Sequence, residues 1–128
     1  MIFSYCTNIH PAESWEETLL ALRMRVPTVR KRLRRAATDP FPLGLRLSGR
    51  AVEELAGDRS KLRAFRRWME DENILPYTIN GFPFGRFHGT RVKENVFLPD
   101  WSTPERLAYT LRLFHLLCDL LPDGDEGS

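Results

Sequence analysis

The chain has 128 residues, 19 Lys+Arg against 17 Asp+Glu, 42% hydrophobic and 28% charged residues, a composition that excludes disordered and collagen-like classes and fits one globular domain. No stretch reaches the roughly 18 apolar residues of a membrane span, and residues 1–8 lack the basic start and apolar run of a signal peptide, so a cytoplasmic protein is expected. Cys6 and Cys118 stand far apart with no CxxC spacing, which excludes a disulfide framework and a zinc ribbon.

Residues 2–7 are a run of β formers ended by Asn8 and Pro11, which predicts a first buried strand. Ser14 with Glu17 makes a capping box and starts a helix near Trp15. Pro27 has no amide proton and predicts a kink or restart, with residues 28–35 as a second piece. Trp15, Leu19, Leu22, Val26, Val29 and Leu33 recur at helical spacing. The acid-free run of Arg23, Arg25, Arg30, Lys31, Arg32, Arg34 and Arg35 is then the solvated face of an amphipathic helix rather than a phosphate-binding surface. With a net charge of only +2, no nucleic-acid partner is expected.

Leu43, Leu45 and Leu47 alternate with Gly44, Arg46 and Ser48, the period of a second strand. Residues 49–56 form a short helix ended by Gly57, and Asp58 caps another in which Leu62, Phe65 and Met69 share a face. Residues 74–79 are the third strand, and the glycine- and aromatic-rich stretch 80–101 that follows is far longer than a usual βα connection. Thr103 caps a last helix with Pro104 at its first position, and Leu107, Leu111, Phe114, Leu117 and Leu121 run along it.

Strands alternating with helices give an α/β protein whose parallel strands follow the order 1-2-3. Three parallel strands with two unpaired edges make an incomplete sheet, and a (β/α)8 TIM barrel needs about 250 residues. The expectation is therefore a partial barrel carrying its first three βα units in residues 1–122, with 123–128 a polar tail before the place of a fourth strand. Such a piece is expected to be marginal alone and to need the remainder of the barrel, or another copy, across its open edges.

In parallel α/β proteins ligands bind beyond the carboxyl ends of the strands. That rule selects Cys6, Thr7, Asn8 and His10, then Arg46 and Ser48, then Asn80, Arg86, His88, Arg91, Lys93 and Glu94. His88 and Glu94 are the catalytic candidates, able to move a proton near neutral pH. Asn8, His10, Arg46, Asn80, Arg86 and Lys93 are the substrate-binding candidates, with a small polar metabolite as the expected ligand. Two blander roles compete: His10 and His88 as hydrogen-bond partners of loop backbone, and Lys93 with Glu94 as a surface pair. The aromatic residues of 80–89 suit a sugar face or an aromatic metabolite, or else pack on themselves as an Ω-like loop. His115, between Phe114 and Leu116, is read as structural. No GxxxxGK[ST], GxGxxG or GxSxG pattern is present, which removes the main support for nucleotide binding and serine hydrolysis.

Five blocks carry a resemblance: Tyr5-Cys6-Thr7-Asn8-Ile9-His10-Pro11 with Glu13, Leu45-Arg46-Leu47-Ser48, Thr78-Ile79-Asn80-Gly81-Phe82-Pro83, Phe87-His88-Gly89-Thr90-Arg91-Val92-Lys93-Glu94, and Pro99-Asp100-Trp101 with Thr103-Pro104-Glu105-Arg106-Leu107. Together they span nearly the whole chain, which resembles the amino-terminal third of the bacterial EboE family of metabolite traffic proteins, barrels similar to xylose isomerase. The resemblance implies handling or export of a secondary-metabolite precursor, with a membrane protein of the same gene cluster as a further partner. It also implies an alternative, a metal-dependent sugar isomerase or epimerase. In such a barrel a divalent metal is held by Glu, Asp and His of later strands, so a metal cofactor is expected only in the complete barrel and a fragment is expected to be inactive alone.

Overall fold

The computed structural model describes residues 3–85 and 95–128. In chain order it contains β1 (Tyr5–Cys6), α1 (Trp15–Arg32), β2 (Phe41–Arg46), α2 (Gly49–Ala56), α3 (Arg59–Asp71), β3 (Ile74–Asn80) and α4 (Pro104–Leu120), with 3-10 turns at Thr7–Ile9 and Asn95–Phe97. The three strands form one parallel sheet in the order β1-β2-β3, with Tyr5 opposite Leu43 and Arg46 opposite Asn80. The chain is thus α/β, as its pattern predicts. β1 is shorter than predicted, because Thr7 turns into a 3-10 helix instead of extending the strand.

Each helix begins where its capping chemistry predicts. The Ser14 hydroxyl accepts from the Glu17 N–H at 3.1 Å while Glu17 Oε2 accepts from the Ser14 N–H at 3.1 Å. Ser14→Ala should therefore cost about 1 kcal/mol, read as a lower urea midpoint at unchanged slope. Asp58 Oδ1 caps α3 by accepting from Ser60 and Lys61, and Thr103 Oγ1 caps α4 by accepting from Arg106. α1 runs unbroken through Pro27, against the expected restart. Both Pro27 and Arg23, whose carbonyl loses its partner, are solvent-exposed, so water can satisfy the orphaned oxygen.

One core joins β2 to the helices. Phe41, Leu43, Leu45 and Leu47, all from one face of the β2 segment, pack with Trp15, Leu22 and Val26 of α1, Val52 and Leu55 of α2, Phe65 and Met69 of α3, and Leu113 and Leu116 of α4. The opposite face of the sheet is different in kind. A Cβ on Gly44 would meet Thr78 Oγ1 at 3.1 Å, the Cys6 Cα at 3.4 Å and Ser4 Oγ at 3.6 Å, all atoms of the sheet or of the residue leading into β1. Ser4 and Cys6 are exposed there. The sheet is therefore covered by helices on its leucine side, while the other side has Ser4, Cys6 and Thr78 gathered around Gly44, with Arg46 at its carboxyl end.

Several side chains depart from their predicted places. Arg30 is not on the solvated face: it is buried, with Nη1 and Nη2 donating to the Glu72 and Asn73 carbonyls at 2.7 and 3.0 Å and its guanidinium over Phe41. It fastens α1 to the turn before β3. In α4 the buried residues are Arg106, Tyr109, Leu113, Leu116, Leu117 and Leu120, whereas Leu107, Leu111 and Phe114 face solvent, as does His115. The helix is apolar on two faces, and only one is used. Among the described residues no helix is long and apolar enough to cross a membrane.

Candidate functional site

The carboxyl ends of β1, β2 and β3 come together as the parallel topology requires. β1 runs straight into the Thr7–Ile9 turn, which brings His10 back toward Tyr5. The Tyr5 hydroxyl hydrogen-bonds His10 Nε2, and the two rings meet edge-on with centroids 5.9 Å apart. Burial raises the Tyr5 pKa and keeps its phenol neutral. His10 is therefore held by a phenol. Cys6 Sγ donates to Asn8 Oδ1 at 3.2 Å, and Asn8 Nδ2 reaches the Phe82 carbonyl at 3.5 Å, so the turn after β1 touches the loop after β3.

Arg46, a predicted substrate-binding residue, is almost wholly buried. Nη1 donates to the Ala12 carbonyl at 2.8 Å, and Nη2 donates to the carbonyls of Pro83 and Gly85 at 2.8 and 3.0 Å. Its own N–H donates to Thr7 Oγ1 at 2.8 Å. One guanidinium thus ties the segment leading into α1 to the loop leaving β3. Burial lowers its pKa, although a guanidinium stays charged through the whole accessible pH range. Nε has no partner among the described residues.

Asn80 is spent locally in part: its Oδ1 accepts from the Phe82 N–H at 2.9 Å, a turn that redirects the chain out of β3. The Phe84 carbonyl accepts from the Gly49 N–H at 2.8 Å, and the Phe84 ring lies so close that a Cβ on Gly49 would come within 2.4 Å of it. Only glycine admits that contact. Phe84 packs edge-on against Tyr109 at 4.8 Å, while Phe82 leans on Phe97 at 5.6 Å. The first residues of this loop therefore pack on α2, on α4 and on the Asn95–Phe97 turn. Ser48 caps α2 through the Ala51 N–H at 3.0 Å and donates to the Glu13 carbonyl.

Tyr109 carries no sequence signal of its place in the site. Its hydroxyl donates to the Leu47 carbonyl directly after β2, and burial pushes its pKa up to about 12. Because the folded pKa lies above the unfolded value of about 10, this stabilisation is complete below pH 10 and is lost as pH rises toward 12. The tyrosinate absorbance of Tyr109 should therefore appear late in an alkaline titration and together with unfolding, and Tyr109→Phe should remove that step. An early step that Tyr109→Phe removes would contradict the buried hydrogen bond.

The space framed by Thr7, His10, Ala12, Thr18, Leu22 and Arg46 is only about 10 Å³, room for one water. Arg86, His88, Arg91, Lys93 and Glu94 lie outside the described residues, and with them both catalytic candidates. Among the described residues no three His, Cys, Asp or Glu side chains converge as metal ligands. What the described mouth holds is a hydrogen-bonded rim of Asn8, the Tyr5–His10 pair and Asn80 around a buried arginine clamp. Comparison with described protein families, with curated proteins and with solved structures finds no match to the chain.

Proposed function

We propose that the chain supplies the first three βα units of a singly wound barrel similar to the EboE metabolite traffic family, and that its strand-end mouth holds a small polar metabolite for transfer. The observation that carries this is the strand order β1-β2-β3 with a helix-covered leucine face and an opposite face of Ser4, Cys6, Gly44 and Thr78. Crossovers between parallel strands are almost always right-handed, so a sheet that advances without reversing places every helix on one side. Continued around, it closes with the face opposite the leucines inside.

The edge of β3 supports the same architecture. The Ile79 N–H donates to the Ser128 carbonyl at 2.7 Å and the Ser128 N–H donates to the Tyr77 carbonyl at 3.2 Å, the pattern of a parallel bridge at the place of a fourth strand. Beside it the unused α4 stripe of Leu107, Leu111 and Phe114 is suited to a neighbouring outer helix. Further barrel units, or a second copy, cover that edge. In the mouth, Asn8, His10 and Asn80 offer donors and acceptors to hydroxyls, and Arg46 keeps the loops in place.

The test is metabolite retention by this chain reassembled with the remaining units of an EboE-family barrel, read by mass spectrometry after gel filtration. A retained polar compound, released unchanged and lost about tenfold in Asn80→Ala, supports a carrier that passes its cargo to a membrane partner. Release as an isomer replaces that role with the metal-dependent isomerase, and no retained compound overturns both.

A further inference from the structure

We propose that the outward side of α1 docks on a membrane surface of anionic phospholipid. α1 buries Trp15, Thr18, Leu22, Val26 and Arg30 against the rest of the fold. At about 100° per residue, Leu20, Met24 and Lys31 fall together on the side facing away from these. Leu20 and Met24 are 60% and 59% exposed. Arg23 stands on one flank of that stripe, with Arg25 and Arg32 on the other, and all three are exposed. The face is solvated, as its spacing predicts, yet it is not uniformly polar.

Charge selects the partner. Residues 18–38 hold seven of the 19 Lys+Arg and none of the 17 Asp+Glu, so the remainder of the chain is net negative. Among the described residues one cation of this run forms an ion pair, Arg35 with Asp39 at 3.5 Å, and Arg23, Arg25, Lys31, Arg32 and Arg34 have no carboxylate beside them. Cations in a last helical turn are favoured by the helix dipole, which accounts for Lys31 and Arg32. It does not account for Arg23 and Arg25, about two turns earlier.

The aliphatic residues between the cations distinguish one anionic partner from another. A nucleic acid offers phosphates to cations and base faces to aromatic rings, and residues 18–38 contain no aromatic side chain. A bilayer surface suits both kinds of residue present. Leu20 and Met24 enter the boundary between headgroups and acyl chains, while the long stems of Arg23, Arg25, Lys31 and Arg32 let their charged ends lie among the lipid phosphates. A second copy is disfavoured, because a twofold contact would set these like charges against each other. The stripe points away from the sheet, so further barrel units at either sheet edge leave it open, and it stands whether or not the strand-end mouth carries metabolite.

The experiment measures co-sedimentation of the full chain with vesicles of phosphatidylcholine, alone and with about 30% phosphatidylglycerol. The anionic vesicles should bind at least about tenfold more tightly, and raising salt from about 0.1 to about 0.5 M should weaken them about tenfold. Leu20→Ser with Met24→Ser, which keeps every charge, should weaken binding about tenfold, as should Arg23→Gln with Lys31→Gln. Arg63→Gln on α3 and Leu111→Ser on α4, an exposed cation and an exposed leucine off the stripe, should each leave binding within about twofold. All these positions are exposed, so folding tolerates the changes; should a variant still fail to fold, the comparison of the two vesicle types on the native chain decides. Equal binding to both vesicle types, a double serine variant that binds like the parent, losses as large at the controls as at the stripe, or tighter binding to duplex DNA than to anionic vesicles would overturn the assignment.

Discussion

Replacing Arg46 with Met should destabilise the fold by about 3–5 kcal/mol, a large fraction of what a small domain possesses. The substitution preserves length and packing but strands the carbonyls of Ala12, Pro83 and Gly85, which the guanidinium now serves at 2.8, 2.8 and 3.0 Å. Those oxygens sit in three separate stretches of backbone, so losing the clamp releases the approach to α1 and the loop after β3 together. Arg46→Lys should recover only part of the loss, because an ammonium cannot reach all three acceptors in a plane. Equilibrium urea unfolding measures both variants. A change below about 1 kcal/mol for Arg46→Met would mean that the side chain is free for substrate and is not a clamp.

Phe65→Ala should cost a similar amount, about 3–5 kcal/mol, because it removes the largest fully buried side chain at the junction of α1 and α3. Its ring lies edge-on to Trp15 at 4.7 Å and stacked with Trp68 at 5.9 Å, and those neighbours are fixed to different helices and cannot both close on the cavity. Leu111→Ala is the contrasting case. Leu111 is 48% exposed on the unused face of α4, and its truncation should change the stability of the chain by about 0.5 kcal/mol or less. The same pair compared by thermal melting separates the side of the helices that holds this chain together from the side that does not.

Much of this fold is readable in the residues. Period-2 leucines locate β2, Ser14, Asp58 and Thr103 locate helix starts, and the alternation of element types sets the parallel order. These are short-range signals with one physical solution each. What escaped has a common cause: a choice made by tertiary contact. Arg30 and Arg46 look like surface or substrate groups in sequence, and only the placement of distant carbonyls turns them into clamps. α4 has enough apolar residues for two faces, and periodicity alone does not say which one meets the sheet. Pro27 sits where water replaces the lost partner, so the rule against proline inside a helix loses much of its force there. In the mouth, Asn8, His10 and Asn80 do gather at the strand ends, whereas the pairing of His10 with Tyr5 depends on a 3-10 turn that no periodicity announces.

Hydrogen exchange at the Ile79 amide, measured on the chain alone and then with the remaining units of an EboE-family barrel, tests the open-edge architecture most directly. Ile79 donates across the outer edge of β3, where its acceptor is the Ser128 carbonyl and where the next strand of a singly wound barrel would lie. Weak protection is expected in the chain alone, beside firm protection of the central-strand amides of Leu43 and Leu45, with a gain of at least about tenfold at Ile79 on mixing. Full protection of Ile79 in the isolated chain, unchanged by the added units, would contradict it and leave a self-sufficient three-stranded domain.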